Sequence, residues 1–433
     1  MVDYEEEGGF VIVRQDDVPA SGAEPEYLAE IARFVHDLTP ALWPVNKTIH
    51  DNPELGYEER IAHKTLTSFM EAQPGWKVTR SAYGMETAWT AVFDSGTPGP
   101  VVSFNVEMDA LPGIGHACGH NLIATASLAG GLATAQLVRT RRLPGRVVVF
   151  GTPAEEGGGG KIALLRAGAY TDHGVDLSLI SHPGIVANCA LMRTTAYTRF
   201  RALYRGREAH AAATPWMGIN ALDALITAYN GLSVLRQQTM AGDIIQGVIS
   251  EGGVAPNIIP ARAAGVFVVR ADTQARLREL REKVDGCFAA GALATGAKLT
   301  VTDEQAYADH VPNRALARSY TRYFNSLVGK SDERIATDQD VDEMRGRSMA
   351  STDQGDVSYA MPSLSVGFAI LPGGPLGTGP HSPEFALSAG SRDAFQRALR
   401  VGKALAGTAV DVLTHEGLLD EVKREWRRAV GGK

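Results

Sequence analysis

Four short apolar runs stand out along the chain, each more continuous in its hydrophobicity than a strand with one solvent-exposed face. Such runs are typical of strands that are buried on both faces of a mostly parallel sheet. Helical patterns separate them, notably over Asn121–Arg141 and Lys161–Ala169. The order of elements therefore predicts an α/β fold with a mostly parallel sheet between helices. The four runs are Val101–Val106, Arg146–Gly151, Leu177–Ser181 and Ser363–Ala369.

The N-terminal part of the chain has a different pattern of apolar and polar residues. Residues 1–24 show no periodicity, and we expect them to form a mobile or loosely docked arm. A helical pattern then extends from Pro25 to about Gln73. It is interrupted at Asp51-Asn52-Pro53, because proline breaks a helix. A further strand is predicted over Thr87–Phe93.

Between about Arg193 and Gln305 the pattern changes to alternating strands and amphipathic helices in the order βαββαβ, the split-βαβ plan. We therefore predict an inserted α+β domain over residues 193–305. It interrupts an α/β domain formed by residues 25–192 and 306–433, which ends in two predicted helices, Ser388–Ala406 and Val410–Ala429. The predicted elements of the insert are Tyr197–Tyr204, Gly218–Met240, Ile244–Ser250, Gly265–Arg270, Ala275–Ala292 and Leu299–Thr302.

The composition excludes several classes of function for this chain. The 433 residues are 44% apolar and 21% charged, as in a globular enzyme, and the net charge of -7 provides no basic field for a nucleic acid. Three cysteines are too few for a disulfide framework. The acidic N-terminus lacks the plan of a signal peptide, and no apolar run approaches the ~20 residues that span a bilayer. We expect a cytoplasmic protein that binds neither nucleic acid nor membrane.

Side chains of metal-ligand type follow each of the four buried strands. Because the carboxyl ends of strands in an open α/β sheet share one crevice, these groups are expected to converge. Thiolate, imidazole and carboxylate together suit zinc, and more loosely cobalt, nickel or manganese. In chain order the groups are Glu107, Asp109, His116, Cys118 and His120, then Glu155 and Glu156, then His182, then His381.

The adjacent acids Glu155 and Glu156 are predicted to have different roles in the site. Adjacent side chains on an irregular loop do not both ligate one ion comfortably, so one would bind metal while the other faces a water as general base. Each motif taken singly has an ordinary explanation: a buried cysteine is commonly a small hydrophobe, and a Glu-Glu pair is commonly solvated. Their shared position at strand ends favours a hydrolytic metal site.

Two glycine-rich stretches resemble phosphate-binding loops, and their residues exclude both. In Gly157–Lys161 the first glycine of a P-loop is replaced by Glu155, and Ile162 replaces the Ser or Thr. Two acids there would also repel phosphate. In Gly113–Cys118 the third glycine of a dinucleotide fingerprint is replaced by Cys118.

Three motifs together resemble the M20 metallopeptidase family. They look most like its amidohydrolase branch, and within it like the aminoacylase-1-like group, whose members cleave unusual dipeptides. The resemblance covers about residues 45 to 405. The motifs are Asp109-Ala110-Leu111-Pro112, Gly115-His116-Ala117-Cys118-Gly119-His120-Asn121 and Thr152-Pro153-Ala154-Glu155-Glu156 with Gly157–Lys161.

The resemblance implies two divalent cations, zinc first, with manganese, cobalt or nickel as alternatives. It implies that Cys118 bridges them and that Glu155 is the general base. Asp109 is expected to orient a ligand from outside the coordination shell. The ligands that complete the two shells would be His120, Glu156, His182 and His381.

The inserted segment corresponds to the lid domain of the family, through which relatives dimerise, so a homodimer is expected. His210 resembles the lid histidine that reaches across the dimer toward the oxyanion, and Asn257 and Arg270 resemble residues that hold the substrate carboxylate. One departure concerns the Arg-x-Asp that precedes Asp-Ala-Leu-Pro in many relatives, since Asn105 and Glu107 stand there instead. That departure puts substrate preference in question.

The sequence thus predicts a dinuclear hydrolase that cleaves the amide bond of N-acyl amino acids or small dipeptides with a free carboxylate. Two alternatives stay open at this point: the same fold used for acyl transfer or amide synthesis, and a non-catalytic binding relative. Thr352-Asp353 either lines the crevice or caps the following turn, and capping is the commoner use of such residues.

Overall fold

The computed structural model describes residues 6–7, 10–11, 24–185, 187–331, 333–370 and 378–431. Their strands form a six-stranded sheet, a four-stranded sheet and a two-stranded ladder. The ladder pairs β1 (Glu6–Glu7) with β2 (Phe10–Val11). Most of the arm predicted over residues 1–24 lies outside the described residues.

The six-stranded sheet consists of β3 (Trp76–Arg80), β4 (Trp89–Asp94), β5 (Val101–Glu107), β6 (Arg146–Thr152), β7 (Leu177–Gly184) and β12 (Ser363–Ala369). Its order is β12-β7-β5-β6-β4-β3. The four strands from β12 to β6 run parallel, and β4 and β3 extend the sheet antiparallel. The predicted α/β class with a mostly parallel sheet is confirmed.

Helices cover this sheet on both faces. The helix that follows β5 is buried over most of its length and packs between the sheet and a long C-terminal helix. Helices of this layer are α1 (Leu28–Asp51), α2 (Arg60–Glu71), α3 (His120–Arg141), α4 (Gly160–Arg166), α5 (Ala169–Asp172), α8 (Arg314–Val328), α9 (Gln339–Arg345), α10 (Gln354–Ala360), α11 (Pro383–Ala389), α12 (Arg392–Thr414) and α13 (Leu418–Gly431).

Helix α3 lies close against β5 because a glycine faces the strand. A Cβ built on Gly130 would lie 2.7 Å from the Phe104 ring, which is too close for any side chain. By length and composition α3 alone among the described helices could cross a membrane, but 94% of the tested window is buried inside the protein. Its apolar character therefore matches its position in the core.

The four-stranded sheet belongs to a separate α+β unit, which we call the lid. Its elements are β8 (Ala196–Arg205), α6 (Ala221–Leu235), β9 (Ile244–Glu251), β10 (Arg262–Ala271), α7 (Gln274–Thr295) and β11 (Lys298–Tyr307), which is the predicted βαββαβ order. The sheet is antiparallel in the order β11-β8-β10-β9, and the two helices cover one of its faces. Phe200, Phe267 and Phe288 pack together at its centre, with ring centroids 4.7–5.7 Å apart. The domain boundaries stay a prediction.

Three element predictions were wrong in detail. The edge strand β3 was missed, because its residues alternate between partial and full exposure and leave no apolar run. The predicted boundary between Ala406 and Val410 does not exist, since α12 continues to Thr414 through buried small residues. The N-terminal helix begins at Leu28 and not at Pro25.

Candidate active site

The carboxyl ends of the four parallel strands meet at one edge of the sheet, and they bring the predicted ligands with them. Glu107 is the last residue of β5, and the loop after it leads to Cys118 and to His120 at the start of α3. Glu155 and Glu156 follow β6 closely, while His182 lies near the end of β7. His381 follows β12 after the undescribed residues 371–377, and its backbone N–H donates to Ala117 O at 2.8 Å.

The five predicted metal ligands form two overlapping groups. Cys118, His120 and His182 each offer an atom within 4.8 Å of the others, and Cys118, Glu156 and His381 do the same. Cys118 Sγ lies 3.3 Å from His182 Nε2, and Glu156 Oε1 lies 3.4 Å from His381 Nε2. The thiol thus belongs to both groups, which is the position that a bridging ligand requires.

The two buried imidazoles are oriented by partners behind them. His120 Nδ1 donates to Asp109 Oδ1 at 3.1 Å, and His182 Nδ1 donates to Pro183 O at 2.8 Å. Each bond leaves the Nε2 lone pair directed at the cluster, which is the usual arrangement of a metal-binding histidine. The other oxygen of Asp109 accepts from the Glu156 backbone N–H at 2.9 Å, so one carboxylate positions two of the predicted ligands.

Buried polar atoms without hydrogen-bond partners mark this cluster. They include His120 Nε2, Glu156 Oε1 and Glu107 Oε2. Leaving a buried polar group unpaired costs ~1–3 kcal/mol, and more when the group is charged. The donor set is thiolate, imidazole and carboxylate, so the residues fit divalent cations of the zinc type.

Burial dominates the protonation equilibria of the site. It raises the pKa of Cys118 well above the ordinary value, and the neighbouring Glu156 carboxylate adds to the effect. Burial likewise raises the pKa of Glu155 well above its usual range, with Glu107 and Glu156 contributing. A bound cation would reverse the direction for Cys118, because a coordinating thiol is deprotonated.

Two strained residues hold the loops in place. Ala154, immediately before the tandem acids, has φ 55°, and His381 has φ 69°, a region that non-glycine residues rarely adopt. Gly119, between two predicted ligands, has φ 78°, and a Cβ there would lie 2.6 Å from Pro183 Cγ. Strain of this kind is characteristic of functional sites, where the surrounding structure fixes it.

A cavity of about 350 Å³ opens above the cluster, between the α/β layer and the lid. Arg270 on β10 faces it, with its guanidinium 2.7 Å from Ser351 Oγ and 4.7 Å from the centroid of the Tyr197 ring. Burial lowers the pKa of Arg270, and among the described residues no carboxylate contributes to that pKa. An unpaired, half-buried guanidinium can bind a carboxylate of a ligand. The lining includes Cys118, Glu155, Glu156, His182, Arg270, Tyr307 and His381.

Two of the predicted site residues are not brought to this cavity. His210 is exposed on the lid, and its Nδ1 accepts from the backbone N–H groups of Ala212 and Ala213. Asn257 is also exposed, and its backbone carbonyl accepts from the Ala211 N–H. Neither lines the cavity within a single chain.

A polar floor formed by Lys161, Glu107 and Asp353 lies under the cluster, and the burial of Lys161 was not predicted from the sequence. Lys161 is fully buried and donates to Glu107 Oε1 and Asp353 Oδ1, both at 2.6 Å. Asp353 occupies the N-cap position of α10 but makes no capping bond, whereas Thr352 Oγ1 accepts from the Gln354 backbone N–H at 3.2 Å. A signal was present in β5, where Ser103, Asn105 and Glu107 alternate with apolar residues and predict one polar face.

The family match agrees with this geometry. Residues 103–406 match the family model described as peptidase family M20/M25/M40. The chain belongs to this family. It is a metal-dependent peptidase or amidohydrolase, as the resemblance implied, and both the family and the enzyme class are confirmed.

Similar proteins span nearly the whole chain. The chain is 38% identical over 422 residues to a Xaa-Arg dipeptidase of Mus musculus, covering 94% of each protein. It is 28% identical to a p-aminobenzoyl-glutamate hydrolase component of Escherichia coli, covering 92% of the chain and 95% of that protein. The fold is similar to that of a dinuclear metal binding peptidase of the M20 family from Bacillus subtilis, at 18% identity and a TM-score of 0.61 over 89% of the chain and 99% of that structure.

Proposed function

We propose that this protein is a dinuclear metal hydrolase that cleaves the amide bond of small dipeptides or N-acyl amino acids with a free carboxylate. The observation that carries the proposal is the shared position of Cys118, which belongs to two separate groups of three ligand atoms. Glu155, the proposed general base, borders the same cavity.

One cation would be held by Cys118, His120 and His182, and the other by Cys118, Glu156 and His381. Charge supports two cations. The described part of the cluster contains four buried carboxylates, and Glu156 lies beside them. The buried ammonium that faces these acids there is that of Lys161. Such an excess of buried negative charge is stable only when cations or protons balance it. The four carboxylates are Glu107, Asp109, Glu155 and Asp353.

The bound cations would supply a water of lowered pKa and a polarised amide carbonyl. Glu155 would take the proton from that water and then transfer it to the leaving amine. Its environment suits both steps, because burial and two neighbouring acids make its carboxylate a stronger base than a solvated glutamate. The Glu155 backbone carbonyl accepts from Tyr307 Oη at 2.6 Å, which fixes the loop that carries the base.

Arg270 would hold the free carboxylate of the substrate at the opposite side of the cavity. The names of two relatives, Xaa-Arg dipeptidase and p-aminobenzoyl-glutamate hydrolase, each describe a substrate that ends in an amino acid. A guanidinium binds a carboxylate in bidentate geometry, which favours such substrates over amidated ones.

The lid residues His210 and Asn257 would act in a homodimer, each reaching the cavity of the partner subunit. The edge strand β9 supports this proposal, since it is unpaired on one side among the described strands and exposes Val248. Mixing a His210→Ala subunit with a Glu155→Gln subunit tests it. Recovery of activity in mixed dimers is expected, and its absence at every mixing ratio would contradict a site shared across subunits.

The proposed reaction is tested by loading the purified protein with zinc, manganese, cobalt or nickel and screening amide substrates. The panel contains aliphatic, aromatic and β-alanyl amides of free amino acids, with mass spectrometry of both fragments. We expect release of the amine after loading and its loss on addition of a chelator. A fully loaded protein that cleaves none of the panel would contradict hydrolysis, and products joined to an added amine acceptor would indicate acyl transfer.

A further inference from the structure

The central strand β5 presents two chemically different faces. Val102, Phe104 and Val106 are fully buried against the apolar core, and Phe104 contacts α3. On the other face Asn105 donates to Gln354 Oε1 at 2.7 Å and accepts from Tyr170 Oη at 3.1 Å. A polar face in the middle of a buried sheet is costly unless each group is satisfied.

Glu107 ends this polar face, and its two carboxylate oxygens have different surroundings. Oε1 accepts from Lys161 Nζ at 2.6 Å, and Lys161 is held from its other side by Asp353. Asp353 also accepts from the Lys161 backbone N–H at 2.9 Å, so the lysine is fixed at both its ends. The ammonium therefore fixes the orientation of the Glu107 carboxylate.

The second oxygen, Oε2, is buried and has no hydrogen-bond partner among the described residues. It lies 3.4 Å from His120 Nε2, the nitrogen that faces the metal cluster and likewise accepts and donates no hydrogen bond there. Glu107, His120 and Glu155 also offer atoms within 4.8 Å of one another. A carboxylate that served only to pair with Lys161 would have no reason to direct a bare oxygen toward this nitrogen.

We propose that Glu107 is a further ligand of the cation at His120, with Lys161 as the positioning residue that holds it. The inference rests on the proposed dinuclear centre and assigns a residue that the ligand motifs do not contain. It makes the two sites unequal. The site of Cys118, His120 and His182 gains a fourth protein ligand, whereas the site of Cys118, Glu156 and His381 keeps three.

This inequality has a chemical consequence. Four protein ligands close a tetrahedral zinc site, and three leave a position for water or substrate. The substrate carbonyl is therefore expected at the Glu156 and His381 side. That side is the open one, because the His381 side chain is 55% exposed while that of His120 is 0% exposed.

The test compares zinc binding by the wild-type protein and by Glu107→Gln. The amide can still accept from Lys161 through its oxygen, but its nitrogen cannot replace the carboxylate as a ligand. We expect wild type to bind two ions and the variant to bind one of them at least ~10-fold more weakly, since even the loss of a group behind a ligand costs ~10–100-fold in affinity. Competition with a chromophoric chelator measures affinity, and elemental analysis after dialysis measures stoichiometry.

The matched control is Asp342→Asn, which removes a buried carboxylate that accepts from the Ala190 and Leu191 N–H groups away from the cluster. Both zinc affinities should stay unchanged in it. Two ions bound with unchanged affinity by Glu107→Gln would overturn the assignment and leave the dinuclear centre intact. A wild-type protein that binds no ion would instead overturn the proposed function.

A second measurement covers the case in which Glu107→Gln does not fold. A crystal structure of the zinc-loaded wild-type protein should place Glu107 Oε2 at ~2.0–2.2 Å from one ion, the usual zinc–carboxylate distance. A separation beyond hydrogen-bonding range would overturn the assignment without the use of any variant.

Discussion

The floor of the cavity and the lid contain similar residue types but expose them differently. In the floor, Lys161, Glu107 and Asp353 are at most 1% exposed and their charges are paired inside the protein. In the lid, arginines such as Arg262 and Arg199 pair with acids at the surface, and apolar side chains are also exposed there. A charge buried in the floor is fixed by its neighbours, whereas a charge on the outer surface of the lid can be replaced with little effect.

The difference suggests a division of roles. In the proposed mechanism the floor supports the ions and the base in a geometry that tolerates little change, because buried charges interact strongly at low dielectric. The surface of the lid would meet a second subunit, where single contacts contribute little, whereas Arg270 on β10 faces the cavity. We therefore expect substitutions in the floor to have the largest effects and those on the lid surface the smallest.

The largest effect is expected for Glu155→Gln, which changes the carboxylate beside the floor. Loss of a general base should lower kcat by ~10²–10⁴-fold, while zinc content stays close to two ions because Glu155 is not among the proposed ligands. Steady-state kinetics on a cleaved substrate and elemental analysis of the same sample measure both. Turnover within a few-fold of wild type would remove Glu155 from the role of base.

Lys161→Met should be the most destabilising of these changes. It leaves Glu107 and Asp353 as buried carboxylates without their cation, and breaking a buried pair in this way costs ~3–5 kcal/mol. The free energy of unfolding is measured by urea titration of the metal-free protein. Zinc affinity at one site should fall as well, which a purely structural lysine would not cause.

The matched control for that lysine is Lys47→Met, which removes an exposed partner of Asp51 on α1. A surface pair contributes ~0–1 kcal/mol, so the control should unfold almost like wild type. Equal losses of stability for both variants would mean that the floor is no more sensitive than the surface.

Arg270→Ala should affect substrate selection more than stability. Loss of a charge-assisted bond costs ~1.5–3 kcal/mol, which corresponds to about 10–150-fold in kcat/KM for substrates with a free carboxylate. Amidated analogues should be affected much less. The control is Arg262→Ala on the same strand, whose guanidinium pairs with Glu251 at the surface; a similar loss on both substrate types would contradict the carboxylate role.

The smallest effect on the monomer is expected for Val248→Lys on the lid edge. Val248 is 60% exposed, so the change should alter the free energy of unfolding by less than ~0.5 kcal/mol. If the lids pair through β9, however, the added charges should shift the protein from dimer to monomer. Light scattering coupled to size-exclusion chromatography distinguishes dimer from monomer. A dimer that persists in the variant would contradict pairing of the lids through β9.

The sequence alone determined the α/β class, the strands that carry the site and, through its motifs, five ligands of the two proposed sites. Apolar runs such as Val147–Phe150 are long enough to identify buried parallel strands, and the chemistry of such sheets collects where the strands end. Each ligand follows one of these strands or lies in the strand itself, as His182 does in β7, although the segments that lead to Cys118 and His381 are long. Local sequence was therefore sufficient to group them.

The tertiary structure alone decided the floor beneath those ligands. Lys161 lies 54 residues from Glu107 and 192 residues from Asp353, and a lysine after a glycine run is ordinarily solvated. Whether such a charge is buried depends on which segments pack over it, and α4 and α10 come together only in the folded chain. The same physical reason applies to His210, whose position on the exposed lid depends on how the insert folds and not on its motif.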